Sequence, residues 1–308
     1  MTLRIFIALS TFAQQGPEPL RRLEASGIPF EINATGKRLT KPQMMAMLPN
    51  FSGVIAGLEP YDRQAIEALP HLKCISRCGV GLDNIDLTAV REKGIEVFTT
   101  ADAVAAPVAE LTIAMILDLL RRLTAHALLM GAQRWERLGG NLLSGKRVGV
   151  IGLGRTGRKV AELLRSWGIE VWGADVRPDE GWARQNGVNI APMPQVLTQT
   201  DIVTLHLSVL GEHPFCLGKK EIASMKKGSF LVNVARGSLI DEHSLTEALV
   251  CGHLAGAALD VYAHEPYAGP LCHLPNVVLT PHIATFTQES RLAMEVEAVE
   301  NIIGFFTV

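Results

Sequence analysis

The chain has 308 residues, 48% hydrophobic and 19% charged; that is enough apolar sequence for a large core and two domains, and it excludes disorder. Its 29 Lys and Arg against 31 Asp and Glu leave a formal net charge of -2, so no global field draws it to nucleic acid or to an anionic membrane. Five cysteines (Cys74, Cys78, Cys216, Cys251, Cys272) form no CxxC pair and no disulfide-dense pattern, which points to a reducing, cytoplasmic setting.

Residues 4–7 read as a first β-strand, since the apolar run 3–9 is short for a signal-peptide core. A helix is expected over 17–26, a strand over 53–56, a helix over 62–69 and a strand over 74–76. Such alternation predicts a parallel sheet with crossover helices. The loop 77–84, with Gly79 and Gly81, leads to a helical stretch from Ile85, and 95–98 reads as the last strand of this series. Residues 103–130 form the longest apolar region, yet Glu110, Asp118, Arg121 and Arg122 would be costly in lipid. One long buried helix over about 105–130 is expected instead. A second series begins at Arg147, with strands near 148–151, 170–174, 202–205, 230–233, 255–259 and 277–279. About six strands is the number of a doubly wound nucleotide-binding domain. The closing helix, 289–305, has no strand after it and is expected to pack back on the first domain.

Gly152-Leu153-Gly154-Arg155-Thr156-Gly157 is a Gly-x-Gly-x-x-Gly directly after a strand pattern and before the helix pattern 158–167, the context that makes it a dinucleotide signature. Gly152 would make the tight turn, Gly154 would admit the pyrophosphate, and Gly157 would let helix and strand pack. Helix N–H groups near Arg155 and Thr156 would face the phosphates. Asp175 lies 18 residues past Gly157, where a carboxylate accepts hydrogen bonds from the adenosine ribose; in another reading it only caps a turn. Beside it a 2'-phosphate would be repelled, which favours NAD over NADP, although Arg177 works the other way.

Arg236, Glu265 and His282 each follow one of the later strands, where ligands bind in an open α/β sheet. A guanidinium there could clamp a carboxylate at two points, or serve only in a surface ion pair. A histidine is the natural proton donor near neutral pH, and a neighbouring carboxylate fixes its tautomer. His264 reads as a surface side chain. Cys251 with His253, and Cys272 with His273, match no usual zinc spacing, so no metal is expected.

Four ordered segments carry a resemblance: 152–157, Asn233-Val234-Ala235-Arg236-Gly237, Leu259-Asp260-Val261 through Glu265-Pro266, and Thr280-Pro281-His282-Ile283-Ala284. They resemble the D-isomer-specific 2-hydroxyacid dehydrogenases, most closely phosphoglycerate dehydrogenase-like members. Residues 77–86 resemble that family's substrate loop, and 108–112 the start of its interdomain helix. The resemblance implies an α/β protein of two Rossmann-like domains: a flavodoxin-like substrate domain at 1–100 plus 284–308 and a doubly wound NAD-binding domain at 101–283. It implies Arg236, Glu265 and His282 as the catalytic set, with Arg236, His282 and the backbone at Val80 and Gly81 binding substrate. The cofactor would be lined by Gly152, Gly154, Arg155, Thr156, Gly157, Asp175, Leu207, Val234, Ala235, Arg236, Asp260, His282, Ala284, Thr285 and Cys78, with Asp260 reaching the nicotinamide carboxamide. A homodimer joined through the long helix region is implied too.

The expected activity is NAD-dependent interconversion of a D-2-hydroxy acid and its 2-oxo acid, without an appended regulatory domain. Hydroxypyruvate or glyoxylate reduction is the rival within the enzymes. A rival of another class is an NAD(H)-sensing corepressor-type binding protein. Formate dehydrogenase-like chemistry is disfavoured, because a proton relay is unnecessary when only hydride leaves. The sequence departs from the family at Ser208, where Pro is usual, in the stretch 209–213, and at Ala106-Pro107 before the long helix. Arg134-Trp135-Glu136-Arg137 resembles a segment that reaches the substrate cleft in relatives, or is a solvated turn. Arg77, Arg134 and Arg137 are the cations the sequence offers for a phosphorylated substrate.

Overall fold

The structure is a computed structural model that describes residues 3–208 and 215–307; the atypical stretch 209–213 lies outside the described residues. The chain divides into two compact units, 1–104 with 285–308, and 105–284, against expected crossings at 100/101 and 283/284.

In the first unit β1 (Ile5–Ile7), β2 (Phe30–Ile32), β3 (Gly53–Ala56), β4 (Cys74–Arg77) and β5 (Glu96–Thr99) are joined by α1 (Glu18–Ser26), α2 (Lys41–Met47), α3 (Arg63–Glu67) and α4 (Leu87–Glu92). The strands are parallel in the order β2-β1-β3-β4-β5, the flavodoxin-like order. Alternate residues of β1 feed opposite faces: Phe6 packs with Val54 and Ile75 under α2 and α3, while Ile5 and Ile7 meet Met294, Ala298 and Ile302 of the closing helix (Gln288–Thr307). That helix sits close enough that a Cβ on Gly53 would come within 2.7 Å of the Phe306 ring. Two elements escape the sequence reading. β2 is a three-residue, largely exposed edge strand with no apolar run. The start of α2 is held by Gln43, whose side-chain oxygen accepts the Thr40 N–H at 2.9 Å, a capping box.

The second unit holds α5 (Ala105–Arg121), α6 (Leu123–Gly131), β6 (Arg147–Ile151), α7 (Arg155–Ser166), β7 (Glu170–Ala174), α8 (Glu180–Asn186), β8 (Val188–Ile190), α9 (Met193–Gln199), β9 (Ile202–Leu205), α10 (Lys219–Ser224), β10 (Ser229–Asn233), α11 (Glu242–Val250), β11 (Leu254–Leu259) and β12 (Val277–Leu279). Its strands run parallel in the order β12-β11-β10-β9-β6-β7-β8. Seven strands stand where six were expected, because β8 is a three-residue edge strand. The expected single helix over 105–130 is two helices. Arg122 breaks it at φ +54, and the Thr124 N–H is capped by Asp118 Oδ1 at 2.9 Å. Nor is it buried throughout: α5 buries eight residues, α6 none.

Candidate active site

The chain order of the second sheet reverses between β6 and β9, the switch point at which doubly wound sheets take ligands. There Gly152 follows β6, held at φ +94, and a Cβ would approach the His206 carbonyl oxygen to 2.7 Å. On Gly157 a Cβ would overlap the Gly152 carbonyl oxygen, so α7 packs directly on the loop. Gly154 differs: nothing lies within 4 Å of where its Cβ would stand. That opening faces the first turn of α7, where N–H groups lack intrahelical partners and the helix dipole favours an anion. Asp175 follows β7 and does two things. Its Oδ2 accepts the Leu153 N–H at 2.7 Å and its Oδ1 the Arg177 N–H at 2.9 Å, so it caps a turn and ties itself to the glycine loop. Each oxygen keeps a lone pair for a ribose hydroxyl. An open glycine, a helix start and an anchored carboxylate together fit the pyrophosphate and ribose of a dinucleotide.

β10, β11 and β12 are adjacent and end level, with Asn233 opposite Leu259 and Leu259 opposite Leu279. Arg236, Glu265 and His282 therefore leave the same end of three neighbouring strands. Asn233 shapes the first turn: its Nδ2 donates to Arg236 O at 2.8 Å and its Oδ1 accepts the Ala235 N–H at 3.0 Å. The half-buried Arg236 guanidinium donates to Ala235 O at 2.6 Å. Gly237 lies against the Tyr262 carbonyl, where any Cβ would overlap backbone. Glu265 accepts the Tyr262 N–H through Oε1 at 3.2 Å and meets His282 Nδ1 through Oε2 at 2.9 Å. An imidazole held by Nδ1 keeps Nε2 for a ligand.

The turn bearing His282 is itself clamped. Asp260, fully buried, accepts Thr280 Oγ1 at 2.6 Å and the Ile283 N–H at 2.8 Å on Oδ1, and the Ala284 N–H at 2.9 Å on Oδ2. These bonds hold His282 at φ +56, a backbone state uncommon for a residue with a side chain. The Tyr262 hydroxyl lies 2.9 Å from Thr280 O and 3.1 Å from Leu259 O, joining the ends of β11 and β12. Burial raises its phenol further, so it stays a donor.

Val234 is buried and Ala235 half-buried on this rim. Leu207 is half-buried after β9. Thr285 begins the return to the first unit. In that unit Val80 and Gly81 lie in the loop after β4, and the Cys78 thiol is packed with Met294 and Ala298, burial pushing it up to about 11. What Cys78 can offer a ligand is backbone. Two residues of the second unit were missed by sequence reasoning: Tyr262, and His206, whose Nε2 meets Thr204 Oγ1 at 2.9 Å beneath the glycine loop. Burial pushes His206 down to about 3, so its ring is neutral. Position after a strand at the switch point was the available signal for His206. Among the described residues no three of His, Cys, Asp and Glu assemble to hold a metal ion.

Residues 113–284 match the family described as D-isomer specific 2-hydroxyacid dehydrogenase, NAD binding domain, and the chain belongs to it. Among individual relatives, it is 34% identical over 292 residues to the D-3-phosphoglycerate dehydrogenase of Archaeoglobus fulgidus, covering 93% of this chain and 55% of that one; it thus spans about half of that relative's length. It is also 34% identical to the hydroxypyruvate reductase of Thermotoga maritima, over 88% of this chain and 90% of that one. A crystal structure of a glyoxylate reductase from Paecilomyes thermophila superposes with a TM-score of 0.87 at 28% identity, covering 98% of this chain and 94% of that one.

Proposed function

We propose that the protein is an NAD-dependent oxidoreductase that interconverts a D-2-hydroxy acid and its 2-oxo acid, with Arg236, Glu265 and His282 as its catalytic set. The observation that carries this is the 2.9 Å contact of His282 Nδ1 with Glu265, made at the strand ends that also bear Arg236. NADH, held by the glycine loop, the start of α7 and Asp175, would supply a hydride for the carbonyl carbon. His282, protonated, gives the Nε2 proton to the carbonyl oxygen as negative charge develops there. Glu265 stabilises the imidazolium and fixes the ring. Arg236 binds the carboxylate and polarises the adjacent carbonyl, and the backbone at Val80 and Gly81 shares that carboxylate. Asp260 serves the cofactor end by fixing the turn 280–284.

Asp175 would hold the adenosine ribose, and its charge there favours NAD. The five cysteines are free thiols, in keeping with a cytoplasmic enzyme. A second copy of the chain is the proposed partner, because α6 and the segment after it expose Leu123, Leu128, Met130, Trp135 and Leu142, and large apolar side chains gathered in one segment favour a covering partner. The reading is tested by NADH and NADPH oxidation with glyoxylate, pyruvate, hydroxypyruvate, 2-oxoglutarate and 3-phosphohydroxypyruvate. Turnover with NADH is expected. Binding of NADH without turnover of any 2-oxo acid would favour a cofactor-sensing binding protein.

A further inference from the structure

Leu153, between the first two glycines of the loop, is held at both of its backbone polar groups by charged side chains. Its N–H is accepted by Asp175 Oδ2 at 2.7 Å, and its carbonyl accepts Arg158 Nε at 3.0 Å. Its side chain is buried, and a Cβ on Gly173 of β7 would come within 2.7 Å of Leu153 Cδ1. Both peptide planes that meet at Leu153 are therefore fixed, the one shared with Gly152 by Asp175 and the one shared with Gly154 by Arg158. In a trans peptide the C=O and N–H point opposite ways. The bond from Arg158 thus also sets the direction of the Gly154 N–H, at the glycine whose Cβ position is open.

Arg158 is the fourth residue of α7, and it reaches back to the loop because helix side chains lean toward the N-terminus. A cation so near a helix start works against the helix dipole, and two residues at the start of α8 offset this. Asp179 Oδ2 lies 3.2 Å from Arg158 Nη1, and the centroid of the Trp182 ring lies 4.9 Å from the guanidinium carbon. Asp179 is itself fixed as the cap of α8, its Oδ1 accepting the Trp182 N–H at 3.0 Å; that bond and the Arg158 charge hold its carboxyl below the usual range. One planar group meets a carbonyl, a carboxylate and an indole face together, which a lysine could not do.

We propose that Arg158 is a positioning residue for the dinucleotide, acting through the Leu153 carbonyl to aim the Gly154 N–H at the pyrophosphate, with Asp179 and Trp182 as its support. This rests on the dinucleotide-binding reading of the glycine loop. The test is an NADH fluorescence titration, with kcat and the KM of a 2-oxo acid measured at saturating NADH. Arg158→Ala, at a partly exposed position, is expected to raise the Kd of NADH by about 10-fold. Both kcat and the KM of the 2-oxo acid are expected to stay within about 2-fold of wild type, and Arg158→Lys, which keeps one donor for the carbonyl, recovers part of the lost affinity. Wild-type affinity in Arg158→Ala, an equal loss of kcat, or no recovery with Arg158→Lys overturns the proposal. Asp179→Asn separates positioning from direct contact, since its amide oxygen keeps the Trp182 cap while the charge that holds Arg158 is lost. Positioning predicts NADH binding weakened by about 3-fold. A guanidinium bound to the cofactor phosphates themselves would hold them as well or better without its competing carboxylate, so unchanged or tighter binding by Asp179→Asn overturns the proposal. A wild-type protein that fails to bind NADH overturns the dinucleotide reading with it, whereas NADH binding without turnover counts against the dehydrogenase reading and leaves the titration to decide this one.

Discussion

His282 owes its place to the hydrogen bonds of its neighbours. Its φ of +56 is tolerated because Asp260 binds the backbone on its C-terminal side twice and Thr280 once, and Glu265 then orients the ring. Arg236, Glu265 and His282 stand out in the sequence as candidates, since each is a chemically distinctive residue a few positions past an apolar strand, and the fold brings them to the same end of three adjacent strands. Tyr262 and His206 are not: a phenol bridging two carbonyls and a neutral, buried imidazole look like ordinary core residues until their neighbours are known. The fingerprint spacing marks Asp175 as a candidate ribose ligand, but nothing in the sequence marks it as the anchor of the glycine loop through the Leu153 N–H. Because its charge opposes a 2'-phosphate, Asp175→Ala is expected to raise the NADPH-to-NADH ratio of kcat/KM by about 10-fold. Steady-state kinetics with both cofactors check this, and an unchanged ratio contradicts the ribose role.

Among the elements, those that shape the site were the easiest to read and the edges the hardest. β6, β9, β10 and β11 are buried runs of four to six residues, and burial on both faces leaves a continuous apolar signature. β2 and β8 are three-residue edge strands that need no such run. The break at Arg122 was hidden because apolar residues continue on both sides of it; periodicity reports apolarity, not whether a face finds a partner. Close approach between turns is equally silent in sequence. Gly237 touches the Tyr262 carbonyl, and the Tyr262 N–H holds Glu265. Gly237→Ala is therefore expected to cost roughly 1–3 kcal/mol of stability and to lower kcat through displacement of Glu265. Thermal unfolding and turnover of the same variant test it; a wild-type Tm with wild-type kcat contradicts the packing described.

At the scale of the molecule, two parallel sheets divide the work. The seven-stranded sheet carries the glycine loop and the His282–Glu265 contact, the five-stranded sheet the loop with Val80 and Gly81, and the closing helix packs on the five-stranded sheet. α6 buries none of its own side chains, although it is built of apolar residues. A helix of that kind calls for a partner. Sedimentation is expected to give a dimer, and Leu128→Asp, at a position 71% exposed in the single chain, to weaken it by at least about 10-fold in Kd; a monomeric wild-type protein contradicts the second copy as occupant. Proton transfer by His282 is the step on which the proposed reaction depends. The most direct measurement is kcat for NADH oxidation by His282→Ala with the best 2-oxo acid, alongside an NADH fluorescence titration. A fall of roughly 10²- to 10⁴-fold in kcat with unchanged NADH affinity is the predicted result, and turnover within a few-fold of wild type would contradict it.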